Sequence, residues 1–234
     1  MPQAPEAMTL KVIAHIHTAF PPKFGIPRQS GLVDDLKGEI VFTPEYRSAD
    51  AVRGLEDFSH IWLVWQFSGA VRDTWSPTVR PPRLGGNKRM GVFATRSPFR
   101  PNPLGLSSVR LCGTKSTENG TVLIVKGADL SDGTPIYDIK PYLAFTDSHP
   151  DAVCGFSDEK KDYALNVEIP SELLVDFPTE KQKILADILS QDPRPAYIDD
   201  SERIFGFCFG GFEIRFRVDG TTLFVTEIRK KDAE

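Results

Sequence analysis

The chain of 234 residues is poor in the groups that build metal and disulfide sites. Its three cysteines, Cys112, Cys154 and Cys208, are far apart and include no Cys-x-x-Cys pair. That excludes a disulfide framework and a cysteine zinc centre, and points to reduced thiols buried as small apolar side chains. His15 and His17 stand two apart on one strand face with no third ligand near in sequence, so no metal is expected. His60, at the start of an apolar run, and His149, beside a proline, are assigned structural roles. No segment approaches the roughly 20 apolar residues of a spanning helix. The opening Met1-Pro-Gln-Ala-Pro-Glu-Ala-Met8 has no apolar core, so it reads as neither signal peptide nor anchor. The expectation is a soluble, cytoplasmic protein. Gly-x-Gly-x-x-Gly, Gly-x-x-x-x-Gly-Lys-Ser/Thr, His-Glu-x-x-His and Gly-x-Ser-x-Gly are all missing, which removes the common nucleotide-binding, protease and hydrolase signatures.

The most informative absence is of one charge. From Thr74 to Thr117 there is no Asp or Glu, while Arg80, Arg83, Lys88, Arg89, Arg96, Arg100, Arg110 and Lys115 all fall there. In a chain of net charge -4 the cations are therefore segregated. The span is either a face for a polyanion or a solvated surface whose acids lie close in space. Within it, residues 83–107 mix glycines, prolines and arginines around a short apolar centre, the composition of a rigid binding loop.

What is present otherwise is period-two hydrophobicity. Leu10, Val12, Ala14 and Ile16 alternate with polar residues, and short apolar runs recur at 40–42, 60–67, 90–94, 106–111, 122–125 and 136–139. Short strands with turn-rich connections imply a barrel or sandwich. The gaps 21–38 and 68–89 are long enough to be functional loops. Residues 147–165 read as a linker. Beyond it, Thr179 is placed to cap a helix with Ile184, Leu185, Ile188 and Leu189 on one stripe. Three strands follow as a meander with turns at Gly210-Gly211 and Asp219-Gly220. The aromatic run Phe205, Phe207, Phe209, Phe212, Phe216 is assigned to the core of this smaller α+β unit.

The segment Met90-Gly-Val-Phe-Ala-Thr-Arg-Ser-Pro-Phe-Arg-Pro-Asn-Pro-Leu-Gly-Leu-Ser107 resembles the signature of the TsaA/TrmO family, β-barrel tRNA methyltransferases that use S-adenosylmethionine. Supporting segments follow the expected order: Gly25-Ile-Pro-Arg-Gln-Ser-Gly-Leu32, residues 51–60, Arg80-Pro-Pro-Arg-Leu-Gly-Gly86, Asp132-Gly-Thr-Pro-Ile-Tyr-Asp-Ile-Lys-Pro-Tyr142 and Gln191-Asp-Pro-Arg-Pro-Ala-Tyr197. The resemblance implies a mainly β protein, α+β overall. Its parts would be a seven-stranded antiparallel barrel domain (1–146), a linker (147–165) and a small α+β domain for tRNA contact (166–234), assembled as a homodimer. The implied reaction is methyl transfer to N6 of threonylcarbamoyladenosine at position 37, in the anticodon loop of threonine tRNAs. Family cofactor positions carry onto Pro27, Arg28, Gln29, Ser68, Gly69, Arg96, Leu106, Ser131, Asp132, Gly133 and Thr134. At Ser68-Gly69 a close relative would show His-Gln, so any side-chain contact there is in question.

The residue chemistry is compatible with that site. Either Arg28 or Arg96 suits the cofactor carboxylate, and Leu106 with the backbone of 131–134 suits its adenine and ribose. Asp132 is either a hydroxyl or amino contact or a turn residue. The urea-like N6 must lose a proton on methylation, so Asp138 is the candidate general base; the alternative is that positioning alone does the work. Arg83, Lys88, Arg89, Arg100, Lys140 and Arg194 are assigned to RNA phosphates, with Arg194 displayed between two prolines or merely part of a surface turn. A barrel that binds RNA without catalysis, and a related methyltransferase acting on another nucleotide or a small molecule, are the alternatives.

Overall fold

The computed structural model describes residues 7–21, 25–81, 84, 88–118, 120–160, 163–194 and 200–231. Alternating burial builds the first strands: in β1 (Ala14–Thr18) Ala14 and Ile16 face inward, and in β2 (Lys37–Phe42) Ile40 and Phe42 do so. β3 (His60–Gln66) sends Ile61, Leu63 and Trp65 to the same interior. A two-stranded hairpin of β4 (Thr78–Val79) and β5 (Met90–Gly91) stands outside the barrel. β6 (Leu104–Thr117), β7 (Gly120–Lys126) and β8 (Thr134–Pro141) complete it, in the order β1-β2-β7-β6-β3-β8. Every pair is antiparallel, and Ala14↔Ile136 closes the ring.

The barrel thus closes with six strands among the described residues, where seven were expected. The run 90–94 does not join it. Only Val92 there is buried, Phe93 is 72% exposed, and residues Val92–Ala94 turn as a 3-10 helix instead of alternating. A strand needs one continuous apolar face, and this segment presents a single anchor.

Short α1 (Ala144–Asp147) follows β8 and is tied back by Asp147, whose carboxylate accepts from Trp62 Nε1 at 2.8 Å and from the Leu143 N–H at 3.0 Å. Those two bonds hold the Asp147 carboxyl below its ordinary pKa, the backbone bond foremost. The last part of the chain forms a second sheet: β9 (Asn166–Glu168), then α2 (Thr179–Ser190), then β10 (Phe205–Phe209), β11 (Phe212–Asp219) and β12 (Thr222–Lys230), in sheet order β10-β11-β12-β9. The expected meander is there, extended by β9 running parallel to β12. The helix buries Leu185, Ile188 and Leu189. Its cap differs from expectation: Pro178 occupies the N-cap and Thr179 is the first helical residue, with no side-chain capping bond. Proline has no N–H to leave unsatisfied there, and its fixed φ leads the chain into the helix. Phe207, Phe209, Phe212 and Phe216 are buried, as expected of a core.

That core also takes Phe20, Val33 and Leu36 from the loop between β1 and β2. The two units therefore share an apolar contact, reinforced by the Gly210 N–H donating to the Ala19 carbonyl at 3.1 Å. Gly25 marks the tightest point. Its φ is +85°, and a Cβ there would stand 2.1 Å from the Phe207 ring. Two of the cysteines correct the expectation of burial: Cys112, at the register shift of β6, and Cys154 are exposed. A bulge leaves its extra residue without a place in the alternation.

Candidate active site

The two long loops meet in a cleft of about 1520 Å³. Arg28 and Gln29 line it from the first loop, residues 70–81 and 89–101 supply most of its wall, and Pro193 and Arg194 reach it from the second unit. Seven arginines line it, at 28, 72, 80, 89, 96, 100 and 194, against the single carboxylate of Asp73. Four of the cations segregated in sequence, Arg80, Arg89, Arg96 and Arg100, are thus gathered in space with Arg28, Arg72 and Arg194. A concave setting lined by one sign of charge strengthens the attraction of such a group for anions.

The cofactor-assigned residues of the first loop converge. Pro27 is buried. Arg28 donates to the carbonyls of Asp192 at 2.9 Å and Arg194 at 3.3 Å, Gln29 donates to the Arg28 carbonyl, and Arg96 donates to the Gln29 amide oxygen. Behind them lies a residue the sequence reading missed. Asp129 accepts from the Ser107 hydroxyl at 2.6 Å, and Ser107 in turn accepts from Trp65 Nε1 at 2.9 Å. The Ser30 N–H also bonds the Asp129 carboxylate, and the Arg96 charge acts on it. Burial nonetheless wins and pushes the Asp129 carboxyl above its ordinary range. Asp129 joins the 25–32 loop to β6 beside Leu106, just ahead of 131–134. Its only sequence signal is an acid among apolar neighbours, in Val125-Lys-Gly-Ala-Asp-Leu130. The approach of Trp65 requires Gly105, where a Cβ would stand 2.2 Å from the indole.

Residues 131–134 form the turn into β8. Thr134 is buried and donates its hydroxyl to the Ser131 carbonyl at 2.7 Å, and the Gly133 N–H bonds the Ile16 carbonyl at 2.9 Å. At Asp132 one carboxylate oxygen receives the Thr18 N–H at 3.0 Å and lies 3.2 Å from His17 Nδ1. Ser68 and Gly69 belong to a 3-10 turn whose next residue, Ala70, lines the cleft. Leu106 stands on the outer face of β6, 59% exposed and away from the cleft lining.

Of the residues assigned to RNA, Arg89 and Arg100 line the cleft, and Arg100 is braced on the Thr95 carbonyl at 3.2 Å. Lys88 is exposed close by in the chain, and Arg83 lies outside the described residues. Three assigned residues already have partners within the protein. Asp138, the candidate base, pairs with Lys140 at 2.8 Å and accepts from the Ile139 N–H, and neither it nor Lys140 lines the cleft. The register shift of β3 against β8 beside Asp138 upsets the simple alternation used to place it. Arg194 lines the cleft but is not displayed for a phosphate. Its guanidinium makes a two-pronged pair with Asp192 at 2.8 and 3.0 Å, with side chains only 11% and 9% exposed. The Tyr163 hydroxyl adds a third bond to Asp192 at 2.8 Å. Burial opposes ionisation of Asp192, but these partners outweigh it and hold the carboxyl below its ordinary range.

With the cleft described, the chain can be placed. The tRNA-methyltransferase O N-terminal domain matches residues 15–148, and the TrmO C-terminal domain matches residues 162–231. The chain belongs to the TrmO family. It is 41% identical over 227 residues to the tRNA (adenine(37)-N6)-methyltransferase of Escherichia coli K12, covering 93% of this chain and 97% of that protein. The protein of the same name from Eikenella corrodens is 47% identical over 163 residues, covering 69% of this chain and 92% of its own length. The crystal structure of TrmO from Pseudomonas aeruginosa superposes with a TM-score of 0.76 at 30% identity, covering 97% of this chain and 99% of that one. In TrmO terms, the cleft joins residues from both family domains.

Proposed function

We propose that this TrmO-family chain is an S-adenosylmethionine-dependent methyltransferase acting on N6 of adenine 37 in tRNA, with threonylcarbamoyladenosine in threonine tRNAs as its substrate. One observation carries this: the cofactor-assigned Arg28, Gln29 and Arg96 share a single cleft with Arg89 and Arg100, and its lining holds seven arginines and one acid. The donor set fits the cofactor. A guanidinium and an amide suit its carboxylate, while the 131–134 turn lies off the cleft lining and its Asp132, Gly133 and Thr134 N–H groups already bond the Phe20, Ile16 and Ser131 carbonyls. When bound, S-adenosylmethionine supplies the electrophilic methyl group.

The chain's own residues bind and orient. Ser107, Ser30 and Arg96 fix the back wall through Asp129, and Arg89 and Arg100 bind phosphates on either side of the presented base. Asp73 is the one carboxylate among the described cleft residues, so positioning rather than a dedicated base performs the transfer. In this reading residues 1–146 carry the chemistry, 147–165 connect, and 166–234 close the cleft over the anticodon arm. The protein works in the cytoplasm as a homodimer. The outward placement of Leu104 and Leu106, 36% and 59% exposed on β6, supports a second copy there and explains why a cofactor-assigned leucine stands off the cleft.

Nucleoside mass spectrometry of tRNA from a strain lacking the gene tests the reading. Loss of the methylated threonylcarbamoyladenosine, restored by the gene, is expected; an unchanged nucleoside profile removes it. A thermal shift with S-adenosylmethionine separates the enzyme from a barrel that only binds RNA.

A further inference from the structure

Trp75 and Phe93 both line the cleft and yet leave 52% and 72% of their surfaces exposed. Their rings lie 6.0 Å apart, tilted by 31°. The chain brings them together deliberately. β4 pairs with β5 through Thr78↔Gly91 and Val79↔Met90, and the Val92 N–H prolongs the ladder onto the Pro77 carbonyl at 2.9 Å. Residues just before β4 and just after β5 therefore meet at the base of one hairpin. Val92, 1% exposed, anchors the turn that carries Phe93 outward. On the other side the Ser76 hydroxyl receives the Thr78 N–H at 3.3 Å and donates to its carbonyl at 2.9 Å, fixing the turn next to Trp75.

The Phe99 ring in the cleft is already capped, with the Arg72 guanidinium 3.8 Å over it. The Trp75 and Phe93 pair keeps its outer face open beside a set of arginines. An apolar ligand would satisfy the rings and leave those cations unpaired. A single-stranded nucleic acid uses both, because every base has a π-face and every nucleotide a phosphate. The spacing also selects the mode. A base held between two rings needs them parallel and about 7 Å apart, two contact distances of about 3.5 Å. At 6.0 Å and 31° the rings already touch each other, so a base stacks on the outside of the pair.

We propose that Trp75 and Phe93 form a stacking platform for one unpaired base of the anticodon loop, adjacent to the base that is methylated, with its flanking phosphates on Arg89 and Arg100. This rests on the tRNA reading above, and it assigns the two rings a role in choosing which nucleotide enters the cleft. A base stacked there leaves its neighbour unstacked, which presents that neighbour to the cofactor at low cost.

The test is the affinity of the full chain for a synthetic anticodon stem-loop RNA, together with a series in which each unpaired nucleotide in turn is abasic. Trp75→Ala should weaken binding of the intact RNA about tenfold, and Trp75→Phe should restore most of it. One abasic position should weaken wild-type binding similarly and make Trp75→Ala without further effect. If Trp75→Ala binds the intact RNA as wild type does, or loses equal affinity for every abasic RNA, the platform is overturned while the tRNA reading stands. If the wild-type protein binds no anticodon stem-loop, the tRNA reading falls and the platform with it.

Discussion

Replacing Asp129 separates what its oxygen atoms do from what its charge does. Asp129→Ala leaves the Ser107 hydroxyl and the Ser30 N–H without an acceptor in a partly buried site. Each such donor costs about 1–3 kcal/mol. Removing a carboxylate that burial disfavours returns part of that, so the net loss is about 2–4 kcal/mol. For a chain of this size that is a fall in Tm of roughly 5–15 °C. Asp129→Asn keeps an oxygen for Ser107 and should cost about 1 kcal/mol or less at neutral pH.

The pH dependence distinguishes the two further. The folded carboxyl titrates above its unfolded value of about 3.9, so the folded state holds a proton that the unfolded state has released. Wild-type stability from this group is therefore greatest at acid pH and declines as pH rises from the unfolded to the folded pKa. Asp129→Asn lacks that decline, so it should gain on wild type through that interval and keep the gain above it. Melting curves from pH 4 to 8 by circular dichroism check this. Equal destabilisation by Ala and Asn at every pH, or a wild-type-minus-Asn difference that is flat with pH, would refute the reasoning.

Gly25→Ala should destabilise by roughly 2–5 kcal/mol, combining a left-handed backbone penalty with a clash against Phe207; faster limited proteolysis between residues 148 and 164 would show that the contact between units is what loosens. Asp192→Asn removes the charge that balances a nearly buried Arg194, at about 3–5 kcal/mol. Because the Asp192 pKa is depressed, its contribution is present above about pH 3.9 and lost as pH falls through the folded value, so acid melts of the variant should be flatter than wild type. Arg100→Ala should weaken RNA binding and reduce the slope of log affinity against log salt by about one, with cofactor affinity unchanged; loss of cofactor binding instead would move Arg100 out of the RNA set.

Period-two patterning was enough to find the barrel strands, because each buries one continuous face. Of the run 90–94 it found only the two-residue strand Met90–Gly91, since a run of apolar letters does not say whether successive residues share a wall: Val92 is sealed in and Phe93 is exposed. The cation-rich loop was legible from its missing acids, and Arg28, Gln29 and Arg96 do meet. Pairings between distant segments were not legible. Nothing local shows that Asp129 lies against Ser107, which depends on how β6 and the loop after β7 are brought together; the Asp192–Arg194 and Asp138–Lys140 pairs join residues only two apart, and the pattern reading, which follows faces and not neighbouring charges, passed over them. Trp75 and Phe93 looked unrelated at 18 positions apart, and only the pairing of Thr78 with Gly91 makes them neighbours.

The bonds from Arg28 to the Asp192 and Arg194 carbonyls make the second unit part of the support of the loop proposed to hold the cofactor. Whatever strain or order tRNA imposes on the second unit is felt by the residue next to Gln29, and linkage makes that influence mutual. Cofactor affinity measured with and without the anticodon stem-loop should then differ by the same factor as RNA affinity measured with and without cofactor. Under the proposed function, cofactor and tRNA are then taken as one coupled event and not two independent ones.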